Sequence, residues 1–362
     1  MRLKMSKNWN WIAEKIQAVM DEEVAMGREC GCQMVIYEKG EKVLDLVAGY
    51  TSSDKKEKVD KNHLFPIFSC GKAVLATAAL QGLDKGFYTI ETPLAQLWKG
   101  FEANGKGDIT VEHALSHRAG LQLLPPFDTP EEFANWDLMC RKMAEAVPET
   151  PAGKKINYHG ITFAYLVGRP LELVYKQPLK EILKKEIIEK CGAENDLFFG
   201  TNEDAEKRVV PIVDDEAIEN RPSWCAIRMN NPLFRKVCIP SFNGCATANG
   251  LAKFYAALAG DLPNVELVRQ ETLAFATKGH FRDKEDILPP NAWCNFGLGL
   301  VLREDYTPGL FGHGGACGSE GYYVKGRRLA VAFVKNRNIK RHPNHLIRDR
   351  ISEILELPIR HW

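Results

Sequence analysis

The sequence lacks a long apolar run, an excess of charge of either sign, and a low-complexity tract. No stretch approaches the ~18 consecutive apolar residues of a membrane span, so we expect no transmembrane segment. Lys and Arg number 48 and Asp and Glu 47, and no basic block is interleaved with aromatic residues. This balance argues against a nucleic-acid partner. The start, MRLKMSKNWNWIAEKIQ, has no apolar core and no small-residue cleavage site, so we expect no secretory signal and a cytoplasmic protein.

The ten cysteines lack the spacing of a metal site. Cys30 and Cys32 form C-x-C, and no second Cys/His pair has the usual ligand spacing. We therefore expect reduced thiols and no metal or other cofactor. G-x-S-x-G is also absent, which argues against an ordinary α/β-hydrolase.

Strand patterns occur near both ends of the chain. Residues 34–37 and 43–47 are apolar runs that flank a hairpin turn at 39–41, and strand patterns return after Phe296 in FGLGLVL, GYYV and LAVAFVKN. The middle is mostly helical, with helical periodicity in LELVYKQPLKEILKKEIIEKCG and GLAKFYAALAG. The stretch from about 200 to 240 has little periodicity and is predicted to form long loops near a site.

This order predicts an α/β (α+β) fold in which one antiparallel sheet is built from both termini and flanked by helices. Residues 1–68 and 290–362 would form the sheet domain, and residues 69–289 a mostly helical domain inserted between them. A site is then expected in the cleft between the two domains.

S-x-x-K occurs three times, as Ser52–Lys55, Ser53–Lys56 and Ser69–Lys72. The first two pairs lie in TSSDKKEKVD, a polar stretch that has no means of desolvating a lysine. The third begins an apolar, Ala-rich segment that is predicted to be a buried helix ending at Gly86. Only this pair has a setting that suits a nucleophile and a base.

Helical spacing places Lys72 and Ser69 on one face, so the amine can reach the hydroxyl. The helix N-terminus would stabilise negative charge on that oxygen, and apolar surroundings disfavour the ammonium form of Lys72. The structural alternative is a helix-capping serine beside a solvated lysine.

Two further segments supply partners for such a pair. INYHGITFAYLVG places Tyr158 before an apolar helix, where a nearby lysine would let its hydroxyl transfer protons, although a packed tyrosine is the simpler interpretation. FGHGGACGSEG contains His313, Gly314, Gly315 and Ala316. Glycines let a backbone N–H approach a ligand and form half of an oxyanion hole, but a glycine-rich turn explains the segment equally well.

Two other features have simpler explanations. His113 and His117 have the i, i+4 spacing of a metal-binding pair on a predicted helix, but a third ligand is not apparent. Cys70 follows Ser69 directly and is expected to pack elsewhere on the helix.

Together the three elements resemble the S-x-x-K, Y-x-N and K-T-G motifs of the serine β-lactamase and penicillin-binding-protein superfamily. ITVEHALSHRAGL is similar to the T-x-x-x-L-L-x-H-x-x-G-L stretch that follows the first motif in this superfamily. YHGITFAYLVG, CGAENDLFFG and GCATANGLAKFYAAL resemble its class C-like esterase branch, the family VIII carboxylesterases, and LACTB-like proteins belong to the same wider group. The resemblance runs from about residue 30 to 340 and implies a β-lactamase/transpeptidase-like fold.

The resemblance also implies roles. Ser69 would attack the acyl carbon, Lys72 and Tyr158 would act as general base and acid, and the N–H groups of Ser69 and Ala316 would hold the oxyanion. His313 would contact substrate or Tyr158. The chain departs from the family pattern at Gly160, where Y-x-N has an amide, and at His313, where K-T-G has a lysine.

These departures predict a carboxylesterase-like serine hydrolase that cleaves a small ester or amide, with reduced β-lactam turnover because a neutral histidine suits a substrate carboxylate less well than a lysine. Three alternatives remain open: an acyltransferase, a peptidase acting on small peptides, or a catalytically weak or silent scaffold. The resemblance to LACTB-like proteins also implies self-association into a homo-oligomer.

Overall fold

The computed structural model describes residues 8–214, 222–279, 295–303, 307–338 and 346–357. The described strands are β1 (Gly31–Glu38), β2 (Glu41–Gly49), β3 (Phe65–Pro66), β4 (Leu197–Phe198), β5 (Val213–Asp214), β6 (Cys245–Ala246), β7 (Asn295–Phe296), β8 (Val301–Leu302), β9 (Leu310–Gly314), β10 (Glu320–Val324), β11 (Leu329–Lys335) and β12 (Arg337–Asn338). The described α-helices are α1 (Trp9–Ala25), α2 (Gly71–Asp84), α3 (Leu94–Leu97), α4 (Val111–Leu115), α5 (Pro130–Ala134), α6 (Trp136–Glu145), α7 (Thr162–Tyr175), α8 (Leu179–Leu183), α9 (Glu203–Glu206), α10 (Trp224–Met229), α11 (Pro232–Lys236), α12 (Ala248–Leu258), α13 (Gln270–Ala276) and α14 (Leu346–Ile354).

A seven-stranded antiparallel sheet has the order β2-β1-β11-β10-β9-β8-β7. Its first two strands form the predicted hairpin, which turns through Lys39 and Gly40, both at positive φ. Paired positive φ angles match the right-handed twist of the strands on either side of a two-residue turn. Strand β1 then pairs with β11 from Cys32↔Lys335 to Glu38↔Leu329. The prediction of one antiparallel sheet built from both ends of the chain is confirmed.

Helices cover both faces of this sheet. On one face, α1 and α14 pack together over an apolar cluster that includes Ile16, Met34 and Ile351. On the other face, α12 packs against β1, β10 and β11. Seven of the eight residues of β1 are buried, as expected for a strand covered on both sides.

The region between the terminal strands is mostly helical, as predicted. Helix α2 is buried from Gly71 to Gly82 and packs against α7, which in turn contacts α4, α6 and α8. The helical periodicity in LELVYKQPLKEILKKEIIEKCG spans more than one helix, because α7 ends at Tyr175, Lys176 is left-handed, and α8 starts only after Pro178. Proline lacks the N–H that a continuous helix needs and disfavours helical conformation in the residue before it.

The prediction of long loops at 200–240 is wrong for the described part of that stretch. It contains α9, α10, α11 and the short strand β5, while residues 215–221 lie outside the described ranges. Each of the three helices has a polar N-cap residue, Asn202, Ser223 or Asn231, whose side chain accepts a hydrogen bond from a backbone N–H in the first turn. These caps stabilise helices too short to show periodicity.

The division into a sheet domain (1–68 and 290–362) and a helical domain (69–289) stays a prediction. Three short strands in the order β3-β6-β4 bring the segment before α2 next to residues of the helical region. Among the residues the structure describes, no helix has the length and apolar character needed to cross a bilayer.

Candidate active site

Ser69 lies on a 3₁₀ turn, Phe68–Cys70, directly before α2. Phe68 has φ of +46°, a region that bulky residues rarely adopt. The turn is held because Ile67 N–H donates to the Gly244 carbonyl at 2.8 Å. Phe68 and Cys70 are buried whereas Ser69 is half-buried, so this backbone presents the hydroxyl between two anchored neighbours. Strained backbone of this kind is often found at functional sites.

Lys72 lies one turn into α2 with its amine against the Ser69 hydroxyl. Its Nζ is 2.9 Å from Ser69 Oγ and donates to the Ser241 carbonyl, also at 2.9 Å. The side chain is fully buried, and this burial holds the pKa of Lys72 well below its usual value. Within the described residues no carboxylate forms an ion pair with it. Burial therefore favours the neutral amine, whose lone pair could accept the Ser69 proton.

Tyr158 faces the same amine from the loop before α7. Its ring centroid lies 4.9 Å from Lys72 Nζ. The ring stacks on Phe296 of β7, with centroids 6.1 Å apart and planes 14° apart, and packs against the ring of His117 at 5.0 Å. The structure thus brings Ser69, Lys72 and Tyr158 together, although 86 residues separate Lys72 from Tyr158 in the chain (158 − 72).

His313 enters from strand β9, with its ring centroid 6.1 Å from that of Tyr158. Burial, with a smaller contribution from Lys72, lowers the pKa of His313 to about 3, so the ring is uncharged. Its Nδ1 lies 2.7 Å from the Gly314 carbonyl, so Nδ1 carries the proton and donates there. Nε2 is buried and, within the described part of the chain, has no hydrogen-bond partner. At this position the site therefore presents a neutral hydrogen-bond acceptor, His313 Nε2, where the family motif has a cationic lysine.

Gly315 brings the end of β9 against the nucleophile turn. A Cβ at this residue would lie 2.3 Å from the Ile67 carbonyl oxygen, so only glycine allows this approach. Ala316 follows and is exposed. Neither its N–H nor that of Ser69 donates to another group within the described residues. Gly160 lies beside Tyr158, where a Cβ would be 4.0 Å from the tyrosine ring.

Comparison with known proteins identifies the family of the chain. Residues 16–356 match the family model described as Beta-lactamase. The chain belongs to the beta-lactamase family. It is 28% identical over 338 residues to the esterase/beta-lactamase LipL of Mycobacterium tuberculosis, a match that covers 85% of this chain and 77% of that protein.

Two solved structures show the same fold. A penicillin-binding-protein homologue from Caulobacter crescentus is 29% identical, with a TM-score of 0.83 over 95% of this chain and 97% of that one. A family VIII carboxylesterase is 24% identical, with a TM-score of 0.84 over 95% and 96% of the two chains. The predicted β-lactamase/transpeptidase-like fold is therefore confirmed.

Within this beta-lactamase-family fold, the predicted helical pairing of His113 and His117 is wrong. Helix α4 ends at Leu115; His113 belongs to it and forms a capping box with Thr110, whereas His117 lies beyond its end at φ of +60°. No group of three or more possible metal ligands occurs among the described residues. Cys70 packs as predicted, buried with its thiol 3.5 Å from the Ser319 carbonyl.

Sequence reasoning missed three residues that surround the trio. Ser241 contributes a backbone carbonyl to Lys72, and any residue type would serve there, so the sequence carries no signal. The sequence placed Phe296 in a strand and gave His117 only the spacing of a metal-binding pair with His113. Both rings pack on Tyr158, a contact that depends on tertiary structure and not on spacing along the chain.

Proposed function

We propose that this beta-lactamase-family protein is a carboxylesterase that forms an acyl-enzyme on Ser69. The family membership itself supports hydrolase activity, since the matched relatives include esterases and β-lactamases. The observation that carries the finer proposal is the fully buried Lys72 amine, 2.9 Å from Ser69 Oγ and without a carboxylate partner in the described residues. A scaffold would have no use for a desolvated amine in that position.

The proposed reaction begins with attack of Ser69 Oγ on the acyl carbon while Lys72 takes the hydroxyl proton. The backbone N–H groups of Ser69 and Ala316 stabilise the developing oxyanion. Tyr158, next to the Lys72 amine, delivers the proton to the leaving alkoxide. Water then attacks the acyl-enzyme with the same groups acting in reverse, which releases the acid and frees Ser69.

The neutral ring of His313 favours an uncharged ester over a substrate recognised through its carboxylate. A lysine at this place would offer a permanent positive charge, whereas the buried His313 offers only a lone pair on Nε2. We therefore propose ester cleavage as the main activity and poor turnover of β-lactams, which carry such a carboxylate.

The test combines a fluorophosphonate probe with p-nitrophenyl butyrate. Intact and peptide mass spectrometry should find one adduct, on Ser69, and Ser69→Ala should abolish both labelling and hydrolysis. Ser53→Ala is the matched control, because Ser53 starts another S-x-x-K in an exposed loop. Unchanged hydrolysis in Ser69→Ala, or an unlabelled wild-type Ser69, would show the proposal to be wrong and favour the silent-scaffold alternative.

Acyl transfer and cleavage of small peptides use the same acyl-enzyme and differ in the acceptor or the substrate. Adding an alcohol or an amine to the butyrate assay measures transfer directly as ester or amide product. The cytoplasmic location and the homo-oligomer stay predictions.

A further inference from the structure

His117 is a buried histidine that the proposed chemistry leaves without a role. It is 1% exposed and left-handed, and it lies two residues beyond the end of α4. Histidine, asparagine and aspartate are the side chains that tolerate this backbone region best. A histidine is therefore compatible with the backbone at this position.

His117 accepts two hydrogen bonds, one from each of the residues that flank Tyr158 in the chain. The His117 carbonyl accepts the N–H of Asn157 at 2.9 Å, and His117 Nδ1 accepts the N–H of His159 at 3.1 Å. The residues immediately before and after Tyr158 are thus both hydrogen-bonded to His117, the first to its backbone and the second to its side chain. The bond to the backbone carbonyl could form with any residue type at position 117. The bond to Nδ1 requires a side chain with an acceptor at the δ position.

The imidazole ring of His117 also forms part of the wall behind the tyrosine. Its centroid lies 5.0 Å from that of Tyr158, 4.4 Å from that of Phe296 and 5.0 Å from that of Phe163. Burial keeps the pKa of His117 well below its usual value, in agreement with Nδ1 acting as an acceptor. The ring is then the neutral tautomer that carries its proton on Nε2.

We propose that His117 is a positioning residue that sets the direction of the Tyr158 hydroxyl through its Nδ1 bond to the His159 N–H. The proposal rests on the function proposed above, in which Tyr158 protonates the leaving group. A small displacement of a proton donor costs rate even when the fold survives, by about 10²-fold for a shift of 1 Å. His117 itself touches neither the substrate carbonyl nor Ser69 in this mechanism.

The test uses two butyrate esters that differ only in the leaving group. The p-nitrophenolate ion leaves without protonation, whereas ethoxide must receive a proton, so only the ethyl ester depends on Tyr158. The readout is the ratio of kcat/KM for the two esters. Tyr158→Phe serves as the reference and should lose the ethyl ester selectively, by about 10²-fold or more.

His117→Phe keeps a ring but removes the acceptor, and we expect the same selective loss, by about 10²-fold. His117→Asn places an amide oxygen where Nδ1 was and tolerates the left-handed backbone, so the ratio should return close to that of the wild type. His117→Ala, which adds no bulk, is measured in parallel and interpreted in the same way if the phenylalanine variant does not fold. If neither folds, the asparagine variant is the remaining test, and selective loss of the ethyl ester there overturns the proposal.

The outcomes separate the two proposals. Selective loss in Tyr158→Phe but equal loss on both esters, or none, in His117→Phe overturns the positioning role and leaves the proposed mechanism intact. Selective loss in His117→Asn also overturns it, since the acceptor is then not what matters. If Tyr158→Phe itself shows no selectivity, the leaving-group role of Tyr158 is wrong and the role of His117 falls with it.

Discussion

Burying Lys72 makes the residue a base and also makes it a source of instability. In the unfolded chain this amine is protonated up to its ordinary pKa of 10.5, whereas in the folded chain it is neutral well below that pH. The unfolded state therefore binds more protons, so the contribution of this residue to stability rises as the pH increases towards 10.5. The fold thus favours the neutral amine against its tendency to be hydrated and charged.

Lys72→Met should therefore be less active and more stable than the wild type at pH 7. We expect a fall in kcat/KM of about 10²–10⁴-fold and a higher urea midpoint, with a smaller gain in stability between pH 7 and pH 9 than in the wild type. Wild-type kcat/KM should fall at low pH, as Lys72 becomes protonated. Lys106→Met is the control, because Lys106 is equally buried but, among the described residues, donates only to the Ala103 and Ala146 carbonyls; the activity of this variant should not change. A Lys72→Met enzyme with normal activity would contradict the assignment of the base.

The reactivity of a second residue, the Cys225 thiol, depends on a neighbouring cysteine. It is half-buried, and a hydrogen bond with Cys317 lowers its pKa below the usual thiol value. Because the thiolate is the reactive form, iodoacetamide should alkylate Cys225 at a lower pH than Cys238, whose pKa is raised by burial. Peptide mass spectrometry across a pH series gives both rates. Cys317→Ala should move the Cys225 profile to higher pH, and an unmoved profile would contradict the assigned cause.

At the scale of elements, the close approach of β9 to the nucleophile turn depends on one glycine. Gly315→Ala would place a methyl 2.3 Å from the Ile67 carbonyl oxygen and 3.4 Å from Cys70 Sγ, so the strand end must move away. The Ala316 N–H moves with it, and loss of one oxyanion donor lowers kcat by about 10²–10³-fold. Ester kinetics check this, with Gly326→Ala as the control because a Cβ there meets nothing within 4 Å. An unchanged kcat would exclude Ala316 as an oxyanion donor.

Helices and strands were predicted correctly where a short stretch of sequence carries a clear pattern. The hairpin of β1 and β2 was predicted from strand patterns around the Lys39–Gly40 turn, and the buried helix α2 from its apolar, Ala-rich segment. The end of α4 at Leu115 was missed, because apolar spacing continues past it and only the left-handed φ of His117 stops the helix. The short capped helices between 200 and 240 were missed for a related reason, since a helix of four to six residues shows no period.

At the scale of the whole molecule, the pairing of β1 with β11 joins residues about 300 positions apart, and composition alone does not specify it. It was predictable because strand patterns fall at both ends of the chain and because the motif order resembles a known family. The trio of Ser69, Lys72 and Tyr158 was predicted on the same grounds and is now seen to be adjacent; its catalytic role stays a prediction. The carbonyl that holds Lys72, from Ser241, was not predictable, because a backbone group leaves no trace in the sequence.

A buried ion pair also holds the last described helix against the sheet. Arg348 of α14 donates to Glu320 at the start of β10 at 2.7 Å, and both side chains are almost fully buried. Glu320 lies opposite Gly314 in the sheet register, so this pair anchors the last described helix next to the strand that carries His313. Burial of such a pair stabilises a fold little by itself, but removal of one partner leaves a charge in an apolar setting.

Arg348→Met should therefore lower the free energy of unfolding by about 3–5 kcal/mol, because Glu320 loses its guanidinium partner. Adding Glu320→Gln to this variant should recover much of the loss, since the buried charge is then gone. Urea unfolding at pH 7 measures both variants. Lys207→Ala is the control: its ion pair with Asp204 is exposed on both sides, so solvent screens it and little stability should be lost. If the single and double variants were equally unstable, the loss would come from packing of α14 and not from loss of the ion pair.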